Sequence, residues 1–248
     1  MRYALIALPL LTLMMGSHAR EDAASQSAAR LAQTGAAPEP VVVELFTSEG
    51  CSSCPPADAV LGVLAKRPNI VALAFHVDYW DKSGWHDKFE IREATPRQNQ
   101  YVRKLHLSTA FTPQMIVDGS SSVVGSDGHA IVDALNVSHT GPVIGLDLQG
   151  DNLVAHLAGP SASAPVDVDL VTYLSTATTQ IKGGENEGHK LQEYNIVRSI
   201  QRLGSWDGAQ KDFTVPVSKL AHDADHAVIL VQQPNQGTIL AAATHEIR

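Results

Sequence analysis

Cys51 and Cys54 are the only cysteines in the 248 residues, and only Ser52 and Ser53 separate them. An apolar, β-branched run, Val41-Val42-Val43-Glu44-Leu45-Phe46, precedes the pair, and a stretch with helical spacing, Pro56 to Lys66, follows it. These patterns read as a buried strand that turns through Cys-x-x-Cys into a helix. The same geometry carries chemistry. Unpaired helix N–H groups and the positive end of the macrodipole favour a thiolate and lower the first cysteine's pKa.

The residues before that strand read as targeting sequence. Arg2 gives a short positive start, Ala4 to Met15 are mostly apolar, and Ser17-His18-Ala19 has the small-x-small form of a cleavage site. We therefore expect residues 1–19 to be a signal peptide and 20–40, rich in Ala, Ser and Gln, a flexible leader. The apolar run is shorter than the roughly 20 residues a membrane span needs, and no later segment is long and apolar enough, so no span is expected after cleavage. The expected location is periplasmic or secreted, where a Cys-x-x-Cys is a dithiol or disulfide rather than a metal clip. The net charge of −8 and the lack of a basic stripe argue against nucleic acid as a partner.

Two textures divide the rest. Between residues 41 and 139 the pattern is β-α-β-α-β-β-α. Strands are expected at Val41–Phe46, Ile70–Val77, Met115–Asp118 and around Ser122–Val124. Helices are expected from Pro56, from a Thr95 cap with Pro96 at the first position, and from a Ser126 or Asp127 cap. The helix connections allow the first three strands to run parallel, with the last two forming an antiparallel hairpin at Asp118-Gly119. From residue 140 to 248, apolar/polar alternation in seven short stretches, broken by Gly, Asn, Asp and Pro, predicts an antiparallel β-sandwich-like lobe.

The element order, the Phe46-Thr47-Ser48-Glu49-Gly50-Cys51-Ser52-Ser53-Cys54 segment, and Thr112-Pro113 before a strand together resemble the thioredoxin-like superfamily. The longer block Glu44 to Asp58 is similar to that of an uncharacterised family of exported bacterial proteins. So are His76-Val77-Asp78-Tyr79-Trp80-Asp81, Arg97-Gln98-x-x-Tyr101, Gly184-Glu185-Asn186-x-Gly188 and Asn195-x-Val197-Arg198. The resemblance implies an α/β fold, with a thioredoxin-like lobe followed by the β-sandwich-like antiparallel lobe. It also implies that Pro113 is a cis-proline beside the cysteines, exposing backbone groups that pair with an incoming chain. Thioredoxins carry a buried aspartate six residues before the first cysteine. Here Leu45 holds that position, and Glu44, its neighbour on the opposite face, is the candidate proton relay.

These residues predict an exported thiol–disulfide oxidoreductase-like protein acting on a protein or small thiol/disulfide substrate. Cys51, Cys54 and Pro113 are its catalytic residues, and Thr112, Trp80 and Trp85 line the substrate site. Cys51 is the exposed attacking sulfur, Cys54 resolves, and no cofactor is required. Glu49 would raise the Cys51 pKa if close. A purely structural disulfide is the competing reading, but closing so short a loop contributes only about 2 kcal/mol, against nearly 5 for a hundred-residue loop. The alternative functions are a non-catalytic thioredoxin-fold binding protein, using the second lobe or the aromatic loop 78–93, and a copper-handling protein. The metal set for the latter would be Cys51, Cys54 and His76, although a histidine in an apolar strand is more often a hydrogen-bonded core residue. Gly183 to His189 reads as a turn between strands rather than a cation loop.

Overall fold

Val41–Thr47 forms strand β1, buried at every position, as a strand covered on both faces must be. A computed structural model describes residues 40–137, 141–159 and 164–248. The expected signal peptide, all of the leader except Pro40, and the expected boundary at 139–140 lie outside the described residues. After β1 come α1 (Pro55–Leu64), β2 (Ile70–His76), α2 (Ala94–Lys104), β3 (Gln114–Val117), β4 (Ser121–Val124) and α3 (Gly128–Ala134). The seven later strands are β5 (Val143–Gln149), β6 (Asn152–Ala158), β7 (Val166–Gln180), β8 (Lys190–Trp206), β9 (Lys211–Pro216), β10 (His226–Gln232) and β11 (Ile239–Glu246).

β1 and β2 pair in parallel, from Val41 opposite Ile70 to Thr47 opposite His76. β3 is antiparallel to β1, with Phe46 opposite Gln114, which corrects the expectation of three parallel strands. The reason lies in the return path after α2. Gln98 donates to the Phe111 carbonyl at 2.8 Å and Trp80 Nε1 to Thr112 Oγ1 at 2.7 Å, so β3 starts at the end where β1 and β2 finish. The ends of β1 and β2, the start of β3 and the cysteine loop thus meet in one place. The β3–β4 hairpin forms as expected, with Asp118 and Gly119 both at positive φ. The α3 cap is also where expected, Asp127 accepting from the His129 and Ala130 amides. Helix α2 instead starts at Ala94 after Glu93, because the Thr95 hydroxyl is engaged with Asp78 Oδ1 at 2.6 Å.

All seven expected strands after residue 140 are present, but they do not build a separate sandwich. β7, β8, β10 and β11 extend the first sheet into one of eight strands, ordered β11-β10-β7-β8-β2-β1-β3-β4, and β5, β6 and β9 form a second sheet of three. The fold is a mixed α/β structure with one large central sheet and few helices. β7 and β8 are long, at 15 and 17 residues, and the turn between them holds Gly183 to His189. The small sheet packs on the distal end of the large one through Leu153, Leu157, Phe213, Val168, Leu170, Trp206 and Ile229. A second core, with Phe46, Phe75, Tyr101, Ile116, Val171 and Leu230, joins strands from both halves. Among the described residues no helix is long and apolar enough to cross a membrane.

Glu44 belongs to this core and not to the cysteine site, which corrects its expected role as a proton relay. Arg97 Nε donates to its Oε1 at 2.7 Å, and the Tyr101 hydroxyl donates to its Oε2. Arg97 also reaches Gln232 Oε1 at 3.0 Å, and Gln232 Nε2 donates back to Tyr101 at 2.9 Å. β1, α2 and β10 are thereby tied by a satisfied ion pair, with both carboxylate oxygens committed. Breaking one partner leaves a buried charge, so Arg97→Met should cost about 3–5 kcal/mol, and Glu44→Gln/Arg97→Met less than the sum of the single changes. Urea unfolding of the three variants measures this; additive losses would show that the pair is not coupled.

Candidate thiol–disulfide site at the end of the central sheet

β1 ends at Thr47 and the chain turns tightly, with the Cys51 amide bonded to the Ser48 carbonyl at 3.1 Å and the Cys54 amide to the Cys51 carbonyl at 3.2 Å. Cys54 is the N-cap of α1, and Pro55 and Pro56 fill its first two positions, where a missing N–H costs nothing. Cys51 and Cys54 form a disulfide. The Thr112–Pro113 peptide is cis, and Pro113 stands immediately before β3. The Thr112 hydroxyl donates to Cys51 Sγ at 3.3 Å, and Ser53 Oγ lies 3.4 Å from the same sulfur. The structure therefore gathers Cys51, Cys54, Thr112 and Pro113 at one end of the sheet, the arrangement that the family resemblance implies.

Cys51 is not the exposed sulfur that its place before a helix suggests. Both cysteines have 0% of their surface accessible. Three contacts cover them, two of them from the aromatic loop 78–93. Trp80, hydrogen-bonded to Thr112, crowds Gly50, where an added Cβ would stand 3.1 Å from Trp80 Cβ. Trp85 Nε1 donates to Glu49 Oε2 at 2.8 Å, so Trp85 is fastened to the cysteine loop and Trp80 to Thr112, and neither lines an open groove. The third cover comes from the β7–β8 turn. Asn186 Nδ2 donates to the Glu49 and Cys51 carbonyls at 2.9 and 3.0 Å, and Glu185 Oε2 accepts from the Ser52 hydroxyl at 2.6 Å and the Ser52 amide at 3.3 Å.

Beneath the disulfide lies a buried acidic cluster. Asp58 is one helical turn beyond Cys54, on the same face of α1, and accepts from Thr47 Oγ1 at 2.8 Å. Burial, only partly offset by His76 and Thr47, pushes its pKa up to about 6. His76 Nδ1 donates to Asp87 Oδ2 at 2.8 Å, the hydrogen-bonded core histidine expected of that strand. Burial alone would lower the His76 pKa, but the Asp87 charge and hydrogen bond, with Glu193 and Asp58, raise it to about 9. Asp87 also accepts from the Glu49 and Phe89 amides. Glu193, on β8, is buried, with 3% of its surface exposed, and accepts from Thr179 Oγ1 at 3.3 Å. Burial raises its pKa to about 8 against the pull of His76, helped by repulsion from Glu49, Asp87 and Asp58.

Cys51, Cys54 and His76 are not brought together as a ligand set. Among the described residues the group whose ligand atoms lie close enough for a metal ion is Asp81, His86 and Glu90, on the loop outside the site. Sequence reasoning missed Asp58, Asp87, Glu193, Glu185 and Asn186. Asp58 was findable from its four-residue offset from Cys54. Asp87 and Glu193 leave no local mark, since one sits in an irregular loop and the other on a strand of the second half.

These features define a mixed α/β protein with a Cys-x-x-Cys disulfide where a buried strand meets a helix. The chain belongs to a family described as "Protein of unknown function (DUF1223)", which it matches over residues 42–232. It is similar to a crystallised protein of Agrobacterium tumefaciens, AGR_C_4864, with 28% identity and a TM-score of 0.75, covering 86% of this chain and 97% of that one. HBP35 of Porphyromonas gingivalis is similar in fold, with 15% identity and a TM-score of 0.56 over 86% of this chain and 76% of that one. No curated protein matches.

The cluster makes stability pH-dependent with a defined sign. Asp58, Glu193 and His76 all hold protons more tightly folded than unfolded, their values moving from 3.8 to about 6, 4.5 to about 8 and 6.5 to about 9. The native state therefore binds the extra protons, and stability falls as pH rises through that range. The Tm should decline from pH 6 to pH 9, and Glu193→Gln, which retains the Thr179 contact but cannot ionise, should decline less. Each kcal/mol recovered raises the Tm by about 2–4 °C in a domain of this size. A wild-type Tm that is flat or rises over this interval contradicts the assignment.

Proposed function

We propose that this protein is an exported, thioredoxin-like thiol–disulfide oxidoreductase. The observation that carries the reading is the contact of the Thr112 hydroxyl with Cys51 Sγ, beside Pro113 and in front of a helix N-terminus. The order β2-β1-β3-β4, with β3 reversed, supports a thioredoxin-like arrangement of the first half. Export is supported by the leader sequence and by the disulfide, which persists in oxidising compartments.

In the reaction, a substrate thiolate forms a bond to Cys51 Sγ as the Cys51–Cys54 bond breaks, and Cys54 leaves as a thiolate. The second substrate thiolate then attacks the mixed disulfide. The substrate leaves as a disulfide, and the protein carries two electrons and two protons as a dithiol; the reverse sequence reduces a substrate disulfide. Ser53 and Thr112 offer hydrogen bonds to charge on Cys51. Asp58, one turn from Cys54 and held by Thr47, exchanges the proton with Cys54, the role that Glu44 does not fill. The electrons pass through the two sulfurs, so the reaction requires no organic cofactor.

One observation favours a non-catalytic binding role instead: neither sulfur is accessible. Trapping distinguishes the two readings. Challenged with a peptide carrying a glutathione mixed disulfide, Cys54→Ser should accumulate a peptide-linked adduct at Cys51, and Cys51→Ser should not. Equal labelling of both variants, or of neither after prior reduction, contradicts the oxidoreductase reading.

A further inference from the structure

The β7–β8 turn reaches the cysteine loop from more than 130 residues away in sequence, the separations being 133 for Glu185–Ser52 and 135 for Asn186–Cys51. It is seated closely. A Cβ on Gly183 would lie 2.6 Å from the Gly84 carbonyl oxygen, and one on Gly184, whose φ is +72°, would lie 3.0 Å from Trp85 Cβ and 3.1 Å from the Ser83 carbonyl oxygen. The turn thus packs on the aromatic loop without room for larger residues, and both close over Cys51. Asn186 is itself buried, and its amide holds two main-chain carbonyls of the cysteine loop. Glu185 is different. It remains exposed, and its carboxylate takes the amide and hydroxyl of Ser52, donors that adjoin the sulfur and would otherwise serve an incoming anion.

We propose that this turn is the gate of the Cys51–Cys54 pair, with Asn186 holding it shut and Glu185 selecting neutral or cationic thiols over anionic ones. The inference rests on the reading that Cys51 is the attacked sulfur. Opening must break the two Asn186 hydrogen bonds before a thiolate can approach in line with the disulfide. Once the gate is open, the Glu185 charge still stands at the mouth. Of the charged residues in the turn, which include Lys182 and Glu187, Glu185 is the one hydrogen-bonded to the cysteine loop. A carboxylate at the mouth slows a nucleophile about two- to threefold per unit of its net negative charge at low ionic strength, and salt screens the effect.

The test is the second-order rate of disulfide reduction in the full-length protein by three small thiols: dithiothreitol, glutathione, whose attacking thiolate is strongly negative, and cysteamine, whose ammonium neutralises its thiolate. Asn186→Ala should accelerate all three by a similar factor of about tenfold, since two hydrogen bonds to the loop are lost. Glu185→Gln, an exposed and nearly isosteric change, should raise the glutathione-to-cysteamine rate ratio at least about threefold in low salt and leave it near the wild-type value in 0.5 M salt. Circular dichroism confirms that each variant is folded; should Asn186→Ala not fold, Asn186→Leu, of similar size and unable to donate, takes its place in the rate comparison. Unchanged rates in a folded Asn186→Ala overturn the gate, and an unchanged ratio in Glu185→Gln overturns the selection by charge. Because small thiols reduce the disulfide whether or not the protein is an enzyme, failure of peptide trapping alongside faster reduction of Asn186→Ala and a shifted ratio in Glu185→Gln would remove the oxidoreductase reading and leave the gate standing.

Discussion

The parallel pairing of β2 with β8, at Ala74 and Ile196, is the joint on which the rest of the molecule depends. It is short, and it is reinforced by Asn195, whose side chain donates to the Ala72 carbonyl at 2.8 Å while its backbone adopts a left-handed φ of 47°. Asparagine is among the few residues that take that conformation at low cost. Through this joint the second half becomes part of the first half's sheet. The β7–β8 turn is thereby carried over the cysteine loop, and Glu193 is delivered beneath it. Without the joint, Cys51 would be covered from one side only and His76 would face fewer acids.

The molecule holds two kinds of buried charge, and the contrast explains their separate uses. Glu44 and Arg97 neutralise one another, with Tyr101 and Gln232 satisfying what remains, so that site is electrically closed and acts as a clasp. Around His76 the balance differs: Asp58, Asp87 and Glu193 face a single histidine, and Glu49 lies near. A low-dielectric interior does not keep several like charges ionised together, so Asp58 and Glu193 keep their protons at pH values where they would ordinarily have lost them, while Asp87, paired with His76, stays ionised. Asp58, an exchangeable proton one helical turn from Cys54, suits a reaction that moves protons with electrons.

Much of the site was legible because it is local. The strand, the Cys-x-x-Cys turn and the prolines of α1 are contiguous, and Thr112-Pro113 announces the start of β3 by residue type. The seven strands of the second half were legible from alternation for the same reason. What alternation does not encode is which edge a strand joins, so the eight-stranded sheet read as two lobes. The direction of β3 was hidden because the return from Leu105 to Phe111 is irregular chain, directed by the side chains of Gln98 and Trp80. Glu44 looked like a relay because its partner Arg97 lies 53 residues away, and the burial of Cys51 depends on Asn186 from still farther. The Gly184-Glu185-Asn186-x-Gly188 pattern marked that turn as distinctive without stating what it touches.

The proposed function requires the Cys51–Cys54 bond to be a reversible redox centre. Its equilibrium reduction potential, measured by mass spectrometry of alkylated protein across a graded series of thiol–disulfide buffers, tests that most directly. A value within the span of about −270 to −120 mV, typical of exchanging Cys-x-x-Cys pairs, is what the account predicts. A value below about −300 mV, the range of structural disulfides in secreted proteins, would contradict it and mark the pair as a fixed brace under the gate.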